Sequence, residues 1–106
     1  DDVQDPWSPL GDGNMLDPVH MGVYAAQLMG YEQLQSSYNY VTYNAAKTLN
    51  ISEKYGIKVG LPGNCILLNG ADFYNVLNKQ SEVLYNIRGG KILAKTIPAQ
   101  SELFIK

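Results

Sequence analysis

Apolar positions recur in different rhythms along this chain, and each rhythm predicts a different element. From Tyr31 to about Leu49 the apolar residues Leu34, Tyr38, Val41, Ala45 and Leu49 follow at spacings of four, three, four and four, with Gln, Ser and Asn between them. That is one stripe of a 3.6-residue period, and it predicts a single helix over 31–49. Upstream, Val19, Met21, Val23, Tyr24, Ala25, Ala26, Leu28 and Met29 leave almost no polar face. A helix of that kind is covered on most sides, so 18–29 is expected to sit inside a larger body. Asp17 can accept from the free amides of its first turn, Pro18 suits the first helical position, and Gly30 supplies a stop.

Past Asn50 the text changes. Turns at Tyr55-Gly56 and Gly60-Leu61-Pro62-Gly63 precede Cys65-Ile66-Leu67-Leu68, a short apolar run bounded by breakers, as a buried strand would be. A short helix is expected at roughly 71–79 on the apolar residues Phe73, Val76 and Leu77. Glu82–Arg88 and Lys91–Thr96 flank Gly89-Gly90, the two-residue loop whose positive φ angles a tight hairpin requires. Glu102–Ile105 alternates charge and bulk and reads as a last, edge strand. The expected fold class is therefore α+β, with two helices followed by a small antiparallel β part, divided at about residue 50 into 1–50 and 51–106. No internal repeat or heptad array is present.

Composition refines this only in places. In 106 residues an apolar fraction of 45% is enough for one core without disulfides. The net charge of -2 conceals an asymmetry: residues 1–50 carry six acids against Lys47 alone, whereas the remainder is basic. Scattered lysines and one arginine form no phosphate-neutralising stripe, which argues against nucleic acid. No apolar run reaches the ~20 residues of a bilayer span. The single Cys65 fits a reducing, cytoplasmic setting, and within its apolar run it reads as a core residue.

The acidity gathers at the start, in Asp1-Asp2-Val3-Gln4-Asp5-Pro6-Trp7. There is no initiator Met and no basic or apolar lead-in, so Asp1 reads as a cut end. Residues 1–17, rich in Asp, Pro and Gly, form a long shaped loop of the kind that often carries function. Asp1, Asp2 and Asp5 could ligate a divalent cation or transfer protons, because adjacent carboxylates raise one another's proton affinity and bind hard ions; the bland alternative is a solvated acidic terminus. His20, the only histidine, reads as packed or solvated, and one His with one Cys has no recognised metal spacing. The methionines Met15, Met21 and Met29 read as helix-core residues, and the tyrosines as packing groups.

Several stretches together resemble the metal-dependent amidohydrolases, and within them the bacterial cytosine deaminases. They are Asp1-Asp2-Val3 with Asp5-Pro6-Trp7 and Pro9-Leu10-Gly11, then Asn14-Met15-Leu16, His20-Met21-Gly22, Gln27-Leu28-Met29-Gly30-Tyr31, Ala45-Ala46-Lys47-Thr48-Leu49-Asn50, Tyr55-Gly56-Ile57, Ile87-Arg88-Gly89-Gly90-Lys91 and Pro98-Ala99-Gln100. They span nearly the whole chain in the family's order.

The resemblance implies the C-terminal piece of a several times longer enzyme, a (β/α)₈ barrel with its metal at the C-terminal ends of the strands. By position, Asp1 would be the eighth-strand metal ligand and proton carrier, Asp2 would lie near the pyrimidine edge, and Trp7 would form a pocket wall. The helices would cover the barrel, and the β part would join a small sandwich completed by the missing N-terminal part. The implied cofactor is iron or zinc, the implied ligand cytosine or an analogue, and a homo-oligomer is expected. The family's metal-binding histidines and its acid for ring protonation are not in this chain, so alone it is expected to be inactive. Ser8 stands where relatives carry an aromatic residue, and Asn64-Cys65-Ile66 replaces the usual start of the first sandwich strand. Relatives acting on isoguanine or aminotriazines have similar text. From a different class comes the reading of a non-catalytic structural or oligomer-forming module, since the hairpin and amphipathic helices need a partner surface. A third is a calcium-binding acidic loop, although no calcium-loop spacing appears.

Overall fold

The computed structural model describes residues 4, 6 and 10–105. Within them helix α1 spans Leu16–Ala25, α2 Tyr31–Ser36, α3 Tyr43–Thr48 and α4 Phe73–Lys79. Strands β1 (Cys65–Leu68), β2 (Val83–Arg88) and β3 (Lys91–Lys95) form one antiparallel sheet in that order. The α+β class is as the pattern predicts, and so is the hairpin. Gly89 and Gly90 have φ of 58° and 76°, which places Arg88 opposite Lys91.

Helix α1 is shifted from its expected bounds because Asn14, and not Asp17, serves its first turn. The Asn14 Oδ1 accepts from the Leu16 amide at 3.0 Å, while the Asn14 amide donates to Asp12 Oδ1 at 3.0 Å. At the other end Gln27 turns left-handed at φ 56°. Its amide donates to the Tyr24 carbonyl, and the Leu28 amide reaches back to Val23 at 2.9 Å. This 6→1 and 5→2 pair closes the helix four residues before Gly30, and Leu28 folds back onto Val23. Gly30 then opens α2, its amide donating to Gln33 Oε1 at 3.0 Å.

The single helix expected over 31–49 is broken into three. A 3₁₀ stretch occupies Ser37–Val41, and Thr42 leaves helical geometry with φ -122° and ψ -95°. The cause is local. Ser37 Oγ donates to the Leu34 carbonyl at 2.7 Å, Asn39 Nδ2 to Ser36 at 3.0 Å and Thr42 Oγ1 to Tyr38 at 2.8 Å. Short polar side chains competing for backbone carbonyls bend and tighten a helix. The apolar stripe therefore rotates: Leu34 and Val41 reach the core, Ala46 is buried in place of Ala45, and Leu49 is exposed. The strand expected at 102–105 does not form, and Leu103, Phe104 and Ile105 lie in solvent.

Val19 and Val23 of α1 meet Leu77 of α4, with Leu28, Leu34, Val41 and Phe73 packed around them. That cluster is small. Met15, Met21 and Met29, expected in the core, are all exposed, Met21 by 73%. The chain presents 8858 Å² to solvent, against about 5,900 Å² for a closed monomer of its mass. Its radius of gyration is 15.7 Å, where about 13 Å is usual at this length.

Two substitutions test these packing arguments by urea unfolding. Gln27→Gly removes the left-handed penalty and raises stability by about 1 kcal/mol. In Gly70→Ala the new methyl lies 2.8 Å from Cγ2 of the buried Val76 and 3.3 Å from the Asp72 carbonyl. A loss of about 1–3 kcal/mol is expected, and an unchanged midpoint would show that this contact yields freely.

Candidate functional site

Asp1, Asp2 and Trp7, the residues singled out for chemistry, lie outside the described residues, as do Asp5 and Ser8. The Gln4 amide donates to the Gly11 carbonyl at 3.0 Å, joining the two ends of the opening loop. From Gly11 the Asp12–Asn14–Leu16 relay leads directly into α1, whose inner face is the core. Residues 11–16 thus lead into the N-terminal end of α1, which sends Val19 and Val23 into the core.

The same end of α1 borders a cleft of about 850 Å³ between the helices and the sheet. Leu16, Val41 and Phe73 line its helical side, and Ile66, Asn86 and Ala94 its sheet side. The last three share one sheet face by register. Tyr55 also borders the cleft, edge-on to Tyr43 at 5.6 Å. Partial burial, with Tyr43 second, pushes its hydroxyl above the ordinary tyrosine value. Asn64, at the head of β1, accepts from the Gly89 amide at 2.8 Å, and Gly90 donates to the Gly63 carbonyl at 3.0 Å. The hairpin tip is therefore pinned to the loop before β1, which gives the Asn64 departure a structural role.

His20 does not face a ligand set. Its Nε2 lies 3.2 Å from the Gln80 amide, which donates when that nitrogen carries no proton, and its ring sits 5.6 Å from Tyr24. Cys65 is half-buried in β1 and unpaired. Among the described residues no group of three or more His, Cys, Asp or Glu side chains could hold a metal ion. Among those same residues no helix is long and apolar enough to cross a membrane. Tyr31 packs on Tyr74 and Tyr38 on Phe73, at 5.2 and 5.5 Å, whereas Tyr24 and Tyr40 lie more than half exposed.

A polar latch that the apolar pattern did not reveal joins α2 to α4. Asp72 caps α4 by accepting from the Asn75 amide at 2.8 Å, and its other oxygen accepts from the Tyr31 hydroxyl at 3.1 Å. The Tyr74 amide donates to Gln35 Oε1 at 2.7 Å. The signal was available in Asp72 standing just before the apolar run of α4, an ordinary helix-start pattern. Bonds from the Asn75 backbone, then its side chain, hold the Asp72 carboxyl below the usual carboxylate range. The hydrogen bond from its hydroxyl to Asp72 raises Tyr31 above the ordinary tyrosine value.

No protein-family model matches the chain. It is 27% identical over 95 residues to the N-isopropylammelide isopropyl amidohydrolase of Pseudomonas sp. (strain ADP), a match covering 90% of this chain and 24% of that protein. Among solved structures it is similar to the 5-methylcytosine deaminase of Klebsiella pneumoniae liganded with 5-fluorocytosine. The TM-score is 0.87 at 34% identity, over 95% of this chain and 24% of that one. The same deaminase liganded with phosphonocytosine gives a TM-score of 0.86 at the same identity. The chain spans about a quarter of the length of the relatives it matches.

The latch has a pH signature. A carboxyl lowered by folding contributes stability that is fully present above its ordinary value of 3.8 and lost as pH falls through the lowered one. Asp72→Ala is therefore expected to melt earlier at neutral pH, with the gap from the parent sequence closing in acid below that window. A gap that stays constant to the acid limit would assign the loss to something other than the carboxylate.

Proposed function

We propose, from its likeness in sequence and fold to an amidohydrolase and a 5-methylcytosine deaminase, that this chain is the C-terminal part of a metal-dependent hydrolase. The parent enzyme converts cytosine, or a related pyrimidine or triazine base, to the corresponding oxo base and ammonia. The observation that supports this most is the likeness over 95% of the chain at 34% identity to a deaminase of a cytosine derivative. In this reading 1–50 is the end of the barrel with its covering helices, and 51–106 contributes strands to the small sandwich. The reducing cytoplasm is its setting, in keeping with the unpaired Cys65.

The described residues supply no metal-ligand set of their own. A carboxylate such as Asp1 suits a divalent iron or zinc ion as one donor among several, so the rest of the set belongs to other parts of the parent. When bound, such an ion supplies a water acidified to a pKa near about 7. Asp1 would be one of the residues that hold the ion, and its carboxylate would serve as the acceptor of a proton and its donor toward the base. Asp2 accepts a hydrogen bond from the pyrimidine edge and fixes the orientation of the ring, and Trp7 walls off bulk water. The overall change is balanced: water adds its oxygen at the amino-bearing carbon, one of its hydrogens ends on the adjacent ring nitrogen, and the other leaves with the amino group as ammonia. Alone, the chain has the proton acceptor without its partners and turns over nothing.

A second reading, a non-catalytic structural or oligomer-forming module, draws on the apolar surface the chain exposes. The two are separated in the full-length parent. Asp1→Asn and Asp1→Ala are expected to lower ammonia release from cytosine by roughly 10²–10⁴-fold or more, with bound metal falling in the alanine variant. Turnover retained in both variants would remove Asp1 from the mechanism.

A further inference from the structure

We propose that Asn69 is a site of spontaneous modification: the Gly70 amide displaces ammonia from its side chain, and the carboxylate that results stands against Glu82 and loosens the joint between β1, β2 and α4. The reaction needs only water, so it stands apart from the activity proposed for the parent.

Asparagine is among the thermolabile residues, and of the nine in this chain Asn69 alone precedes a glycine. A side chain on the following residue crowds the approach of its amide nitrogen to the Asn carboxamide, and glycine has none. The pair lies exposed in the bend between β1 and α4. Asn14 and Asn64, by contrast, hold backbone amides with their Oδ1 atoms, and most of the remainder lie inside helices or β2. Packing dictates the glycine: a Cβ at Gly70 would lie 2.8 Å from Cγ2 of the buried Val76. The core therefore keeps in place the one neighbour that makes Asn69 reactive.

The Gly70 nitrogen, having lost its proton to solvent, attacks Cγ of Asn69. A nitrogen–carbon bond forms, the Cγ–Nδ2 bond breaks, and Nδ2 takes up a proton and leaves as ammonia. Water then opens the cyclic imide at one of its two carbonyls, giving aspartate, or isoaspartate with the main chain routed through the former side chain. Two hydrogen bonds restrain the attack: the Gly70 amide donates to the Leu68 carbonyl at 3.2 Å, and Asn69 Nδ2 to Glu82 Oε2 at 3.4 Å. Both lie at or beyond the long end of the ordinary range. Glu82 also sets the consequence. The Asn69 amide donates to the Glu82 carbonyl at 3.2 Å, which carries the β1–β2 pairing one step past Leu68 and Val83. A hydrogen bond from its own backbone, then the Asn69 side chain, hold the Glu82 carboxyl below the usual carboxylate range. After the reaction that side-chain donor is a second carboxylate, and like charges directly opposite one another destabilise a strand pair. The isoaspartate form also lengthens the main chain between β1 and the Asp72 cap of α4.

The test holds the chain in mildly alkaline buffer and follows the peptide around each asparagine by mass spectrometry. Asn69 is expected to convert before the other eight, with the mass gain of an amide-to-acid exchange, release of ammonia, and both aspartate and isoaspartate as products. Asn69→Gln should keep its mass over the same period, because the longer side chain closes the ring far more slowly. An unchanged Asn69, or another asparagine converting first, would overturn the site. The consequence is read by thermal unfolding. Asn69→Asp is expected to lower Tm by roughly 2–5 °C, and to cost about 1 °C or less when Glu82→Gln is already present. A loss of the same size with and without the Glu82 charge would overturn the assigned repulsion.

Discussion

The contact of Val19 and Val23 with Leu77 is the interaction on which the rest of this structure depends. It joins the first helix to the fourth across some fifty residues of chain, and the hydrogen bond from Leu28 to the Val23 carbonyl folds Leu28 over it. Leu34, Val41 and Phe73 complete the cluster. Buried apolar area is the dominant favourable term in folding, and this chain concentrates it in a few side chains. The sheet takes little part. Its tie to the helices runs through a cleft, and β3 is exposed along its whole length. The core therefore fixes the position of α1, whose start is set by the Asp12–Asn14–Leu16 bonds.

The elements were legible where local chemistry and tertiary packing agree. Gly89-Gly90 specifies a hairpin on its own, and the structure contains it. Cys65–Leu68 is a strand because breakers bound an apolar run. The long stripe from Leu34 to Leu49 misled, since its period is helical while Ser36, Ser37, Asn39 and Thr42 offer the backbone other partners. Periodicity counts apolar residues and is blind to that competition. Gly30 misled in the opposite sense: a glycine after an apolar helix reads as a stop, but Gln27 and Leu28 had already closed α1 and left Gly30 to begin the next helix. The edge strand at 102–105 failed because alternation specifies a face only when a neighbouring strand is there to pair with it.

The candidate site rests on resemblance and not on spacing. Three carboxylates and an indole in seven residues are weak taken alone, and Asp1, Asp2 and Trp7 fall outside the described residues. The quotation of motifs along nearly the whole chain carried more, and the likeness to a deaminase of a cytosine derivative accords with it. Asp72 was readable as a helix start, but its bond to Tyr31 was not, because that bond spans 41 positions and depends on how α2 and α4 meet.

In the proposed reading, apolar side chains that this chain exposes, such as Met21, Ile92 and Leu93, are covered in the longer parent. Amide hydrogen exchange, compared between the chain alone and the full-length parent, reads that directly, because protection reports the free energy of opening each element. The account predicts that β3 and the solvent side of α1 exchange rapidly in the chain alone and become protected by roughly hundredfold or more in the parent. Equal protection in both would contradict it, since the faces would then need no cover.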